Sequence, residues 1–276
     1  MNAEEYLKAG EIEKALAELQ ERTRAQPAKA ELRVFLFQLL SVMGQWERAM
    51  TQLNVAADLD ADALLLAHAY RPALNAEAYR AEVFAGRRSP LFLGEPPAWA
   101  GLLCQSLPLL AQGQHEAAAR LRDAAFEEAG AVAGTIDDTP FEWIADADPR
   151  LGPMLEAIVN GKYYWVPFER VRELRIEKPA NLRDAVWAQA TFVWANGGDA
   201  TGLVPSRYPG SEAASESALR LGRKTDWADA GSGFFLGRGQ RMLATDGGEY
   251  PLFETRRIVL ESAAAAPVEG EGESHG

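Results

Sequence analysis

Gly10-Glu11-Ile12-Glu13-Lys14-Ala15 returns as Gly44-Gln45-Trp46-Glu47-Arg48-Ala49 and again as Gly113-Gln114-His115-Glu116-Ala117-Ala118. The first two copies start 34 positions apart and the last two 69, once and about twice the tetratricopeptide period. A glycine frees the turn between two helices, and the small alanine five positions on lets a neighbouring helix come close. Apolar residues at helical spacing, Ile12, Leu16 and Leu19, then Val34, Leu36, Phe37, Leu40 and Met43, give these helices a face to bury. Pro27 stands where a repeat ends its second helix. The second copy closes instead on Asp58-Leu59-Asp60-Ala61-Asp62, which lacks the Gly and Glu of a calcium loop and reads as a solvated turn. The slot near position 78 has no Gly. The pattern predicts a short, degenerate tetratricopeptide-like unit of two to four hairpins; ordinary antiparallel helices with coincident glycines are the alternative.

Outward from the repeats, Ser89 to Pro97 carries three prolines and reads as an extended connector, after which helix resumes from Trp99 to about Ala129. Beyond Gly130-Ala131-Val132-Ala133-Gly134 the period changes to two. Asn160-Gly161, Asn196-Gly197-Gly198 and Asp246-Gly247-Gly248 sit between runs rich in aromatic and β-branched residues, the signature of hairpins whose turns need positive φ. With Phe141-Glu142-Trp143-Ile144 and Leu174-Arg175-Ile176 they give about eight short antiparallel strands, suited to a small barrel or a bent sheet. Ser211 to Leu221 reads as a short helix ended by Gly222. The expected organisation is a multidomain α and β chain: a helical-repeat domain over 1–132, a β-rich antiparallel, barrel-like domain over 133–261, and an acidic, disordered tail over 262–276.

The 276 residues carry 40 acidic against 28 basic side chains, a net charge of −12. That field repels phosphate backbones, so nucleic acid is not an expected partner. One cysteine, Cys104, precludes an internal disulfide and, with three histidines, a Cys-rich zinc site. The start, Met1-Asn2-Ala3-Glu4-Glu5, has no signal-peptide character, and the longest apolar run, around Val34 to Met43, is about half the ~18 residues of a membrane span. A cytoplasmic protein without membrane insertion is expected.

Catalytic motifs are scarce. Lys162 after Gly161 lacks the rest of a phosphate-binding loop, and Gly231-Ser232-Gly233 lacks dinucleotide spacing and reads as a flexible loop. His68 and His115 read as packing residues, Cys104 as a buried thiol, and His275 as inert. Asp146, Asp148 and Arg150 could join Glu156 in a carboxylate cluster for metal or acid–base work, though spacing alone cannot bring them together. Arg207, Tyr208 and Glu212, followed by Arg223, Asp226 and Trp227, could line an anion pocket or form a structural network clamping a loop. No catalytic residue, metal or cofactor is assigned.

Asp148-Pro149-Arg150-Leu151-Gly152-Pro153-Met154-Leu155-Glu156, Asn160 to Phe168, Arg183-Asp184-Ala185-Val186-Trp187, Arg207-Tyr208-Pro209-Gly210-Ser211-Glu212, Arg223-Lys224-Thr225-Asp226-Trp227 and Gly239-Gln240-Arg241-Met242-Leu243 occur in an order that resembles the ImpE/TagJ family of type VI secretion accessory proteins. The resemblance spans the chain to about Leu260. It implies a cytoplasmic, non-enzymatic adaptor that binds the N-terminal helix of the small sheath subunit, with an indirect link to the sheath-recycling ATPase. The alternative is a small-molecule sensor or enzyme using the Arg/Tyr/Glu/Asp pocket. Helical repeats commonly accept a partner's helix in a groove. If the tetratricopeptide register holds, Glu31, Val34, Gln38 and Ser41, with Leu103, Leu107 and Leu110 further on, face that groove.

Overall fold

The three repeated glycines all lie in the left-handed region, Gly10 at φ +78°, Gly44 at +67° and Gly113 at +75°. Each closes its helix identically. The amide after the glycine donates to the carbonyl five residues back, Glu11 to Tyr6 (2.8 Å), Gln45 to Leu40 (2.9 Å) and Gln114 to Leu109 (2.9 Å), while the glycine's own amide donates to Leu7, Ser41 and Leu110. These are Schellman caps, which satisfy terminal carbonyls and turn the chain back on itself.

In this computed structural model, which describes residues 1–261, the turns join α1 (Ala3–Lys8) to α2 (Ile12–Ala25), α3 (Ala30–Val42) to α4 (Trp46–Leu59) and α6 (Ala98–Ala111) to α7 (His115–Glu128). The helical stretch from Trp99 to Ala129 is divided at Gly113, as the repeat predicts. Between them runs α5 (Ala61–Phe84), whose N-cap Asp60 accepts from the amides of Asp62 (2.9 Å) and Ala63 (3.0 Å). The tail over 262–276, with His275, lies outside the described residues.

The strands are β1 (Leu91–Phe92), β2 (Gly134–Ile136), β3 (Thr139–Phe141), β4 (Ile144–Asp146), β5 (Met154–Val159), β6 (Lys162–Pro167), β7 (Val171–Ile176), β8 (Trp187–Trp194), β9 (Asp199–Pro205), β10 (Thr225–Asp229), β11 (Phe235–Gly239), β12 (Met242–Thr245), β13 (Gly248–Pro251) and β14 (Arg257–Leu260), with the one-turn helix α8 (Ser217–Arg220) before β10. Nine of them form one sheet in the order β1-β6-β5-β9-β8-β7-β14-β2-β3; β13-β12-β4 and β10-β11 form two small ones. The main sheet is open, with β1 and β3 at its edges, so of the two expected forms, barrel or bent sheet, it does not take the closed one.

The reason is visible in β5, all six residues of which are buried. Met154 and Ile158 point into a core shared with the helices, while Leu155, Ala157 and Val159 point into a second core on the far side. A helical layer covers one face of the sheet, so closure on itself is not needed to bury it. The connector after α5 also joins the sheet, as β1 pairs parallel to β6 with Leu91 opposite Tyr164.

The predicted hairpins form. Asn160 (φ +49°) and Gly161 (φ +75°) link Val159 to its partner Lys162, both central residues positive as a type I′ turn requires. Asp246-Gly247 links Thr245 to Gly248, and the Asn196-Gly197-Gly198 turn brings Val193 opposite Asp199. Phe141 to Ile144 is not one strand, since β3 ends and β4 begins within it. Ser211 to Leu221 is a 3-10 turn at Ser211–Ala213 followed by α8, not one helix.

Candidate functional site

On α5, Tyr70, Ala73, Leu74, Glu77 and Arg80 share the buried stripe. Two charged residues in such a stripe must find partners. Arg80 forks onto Glu156 of β5, its Nε 2.6 Å from Oε1 and its Nη2 2.9 Å from Oε2, and also donates to the Arg207 carbonyl at 2.8 Å. Glu77 accepts from Nε1 of Trp187 at 2.9 Å. Arg241, fully buried, donates to both Asp146 and Glu156, and its Nε reaches the Pro205 carbonyl at 2.8 Å. The Tyr163 hydroxyl donates to Glu156 and accepts from Trp165 Nε1 at 2.7 Å. Asp148 accepts from Arg150 and from the Gly237 amide at 2.9 Å.

The carboxylate cluster weighed from sequence thus assembles, yet its oxygens are taken by arginines, hydroxyls and amides of the same chain. Burial raises a carboxyl pKa and nearby cations lower it. At Glu156 burial is outweighed by the charges of Arg80 and Arg241, and the carboxyl is held at about 2. At Asp146 burial, reinforced by Asp148, prevails over Arg241 and pushes the carboxyl up to about 6. Burial likewise raises Glu77. Arg207 is lowered to about 10 by burial and remains charged at neutral pH.

A second set of contacts fastens the β-rich part to helix ends. Arg207, buried, donates to the Val42 carbonyl at the end of α3 (2.9 Å) and to that of Arg220. Arg223 donates to the Leu7 (2.9 Å) and Lys8 (3.3 Å) carbonyls at the end of α1. Cations at helix C-termini complement both the open carbonyls and the helix dipole. Glu212 lies so close to Gly44 that a Cβ there would meet its Cγ at 2.4 Å. Tyr208 is buried with its hydroxyl 3.1 Å from Asp146, Trp227 tilts against its ring, and Asp226 is exposed. Arg207, Tyr208 and Arg223 are thus bonded within the chain, Trp227 packs on Tyr208, and the six residues do not gather around one open pocket.

The expected partner groove is occupied by the chain itself. The turn at Leu182–Ala185 and Trp187 fill the inner face of α3 and α5: the Arg183 amide donates to Gln38 Oε1 at 3.1 Å, and the Trp187 ring lies 5.7 Å from Tyr70 and 6.1 Å from Trp46. Gln38, Ser41, Leu103 and Leu107 are buried; Val34 and Leu110 are half-buried and only Glu31 is exposed. The set is thus mostly covered by the chain, because burying the apolar sheet face against these helices stabilises the protein more than leaving both faces wet.

Elsewhere, His68 is exposed rather than packed, and Cys104 is half-buried, its thiol pushed up to about 11 by burial. The glycine loop at 231–233 is tied down by Arg122, which donates to the Gly233 carbonyl at 3.0 Å and stacks on Phe234. Sequence reasoning missed Glu77 and Arg80, whose signal was a charged pair three apart on an otherwise apolar stripe. Among the described residues no helix is long and apolar enough to cross a membrane.

The six sequence motifs that carry the family resemblance supply Glu156, Tyr163, Trp187, Arg207 and Arg223, which meet the helices, and Arg241, which braces Glu156 from within the β-rich part. A family model described as ImpE protein matches residues 138–259. The type VI secretion system accessory component TagJ of Pseudomonas aeruginosa is 51% identical over 265 residues, covering 96% of this chain and 93% of that protein. A crystal structure of a Vibrio parahaemolyticus protein, 25% identical, superposes with a TM-score of 0.83 over 94% of this chain and 97% of that one.

Proposed function

From the premise that the chain belongs to the ImpE/TagJ family, we propose that it is an accessory component of a type VI secretion system, acting in the cytoplasm by protein binding rather than catalysis. The observation that carries this reading is the 51% identity to the Pseudomonas component across nearly the whole chain. The internal use of the charged groups supports it: Glu156, Asp146, Arg80 and Arg241 satisfy one another and leave no convergent open site. The partner is the amino-terminal helix of the small sheath subunit, and any link to the sheath-recycling ATPase runs through it. Isothermal titration of the full chain with a peptide of that helix is expected to show saturable binding. No binding at high micromolar peptide overturns the sheath assignment.

A further inference from the structure

The helical layer is one helix short. α2, α4 and α7 each run back along their predecessor over 14 residues, but α5 is followed by the Gly86 turn and β1. Its outward face is bare: Leu64 is 40% and Leu65 70% exposed, His68 and Ala69 follow in the open one turn on, and Pro72 is half-buried. Leu59, 42% exposed at the end of α4, lies instead beside the α2–α3 turn around Pro27. A lone exposed leucine needs no explanation, whereas two adjoining ones on a helix that lacks the second helix of its hairpin mark a contact surface.

The two ends of this stripe differ. At the N-terminal end Asp58, Asp60 and Asp62 are exposed, and among the described residues none is in an ion pair. At the other end Pro72 borders a cleft of about 840 Å³ whose opposite wall includes Gly161 and Leu203. From Ala61 to Asn75 the stripe is about 21 Å long at 1.5 Å per residue, the length of the 14-residue helices that complete the other hairpins.

We propose that this face seats a partner's amphipathic helix of about 14 residues, antiparallel to α5, as the missing second helix of the third hairpin. Its apolar side covers Leu64 and Leu65. Its C-terminal turn carries lysine or arginine beside Asp58, Asp60 and Asp62, where those cations also suit the helix's own dipole. The inference rests on the adaptor reading above and deepens it by locating the bound helix away from the filled inner face.

The test is fluorescence anisotropy of the labelled sheath-subunit peptide with the full chain and with Leu65→Glu and Asp62→Lys, each a surface change whose folding is checked by circular dichroism. Leu65→Glu is expected to weaken binding roughly tenfold or more. Asp62→Lys is expected to weaken it several-fold, the deficit shrinking as salt rises. Unchanged affinity in both variants overturns this site and leaves the adaptor reading standing. Failure of the peptide to bind the unaltered chain overturns both.

Discussion

The inner and outer faces of the helical layer are built from the same repeats and meet opposite fates. On the inner face, Tyr70, Glu77 and Arg80 of α5 are buried against Trp187 and Glu156, and the β-rich part occupies the furrow. On the outer face of the same helix, Leu64 and Leu65 stay exposed, at 40% and 70%. A repeat pattern therefore shows that a furrow exists, not who fills it. Charged residues on the apolar stripe mark the face that the chain keeps for itself, because a buried ion demands a designated partner.

The sharpest way to break the comparison is Arg241→Met. It leaves Asp146 and Glu156 buried with one cation fewer, and removing one partner of a buried pair costs about 3–5 kcal/mol. Denaturant unfolding should show a loss of that order. A loss below about 1 kcal/mol would mean that the network does not hold the inner face.

Acid probes the same network with a definite sign. Glu156, held at about 2 against an ordinary 4.5, contributes stability that is complete above 4.5 and is lost as pH falls toward 2. Asp146, raised from 3.8 to about 6, works oppositely: its contribution is complete below 3.8 and is lost as pH rises through 6. Each shift is worth on the order of 3 kcal/mol. Unfolding free energy should thus rise as pH falls from above 6 to about 4, then fall steeply. Asp146→Asn should flatten the first limb, and an unaltered limb in that variant would show that Asp146 does not cause it.

Gly44 and Gly113 offer a matched pair. Both have positive φ, where alanine costs about 1–2 kcal/mol. A Cβ at Gly44 strikes Glu212, whereas at Gly113 it meets nothing within 4 Å. Thermal melts should show Gly44→Ala losing more than Gly113→Ala, the excess measuring the docking of the β-rich part on the second repeat. Equal losses would detach Glu212 from that role.

What was legible in the sequence was local. The repeated glycines and Asn160-Gly161 announce their turns because a positive φ is a property of one or two residues. The filling of the inner face was not legible, since it depends on Gln38 meeting Arg183, 145 positions away, and Glu156 meeting Arg80 and Arg241 across 76 and 85. The acidic spacing in 146–156 correctly raised a cluster but could not say that arginines would close it. The choice between a barrel and an open sheet was not legible either: alternation in a strand shows two faces, and only the helices packed on one of them explain why the sheet stays open.

The smallest expected effect is the most discriminating. Leu65→Ser removes a large apolar side chain, which in a core would cost several kcal/mol, but at 70% exposure little contact area is lost. Surface changes of this kind fall within about 0.5 kcal/mol. Unfolding of the purified chain should therefore be indistinguishable from that of the unaltered protein. A loss above about 1 kcal/mol would mean that Leu65 already has a partner within the chain, and the outer face would then be as occupied as the inner one.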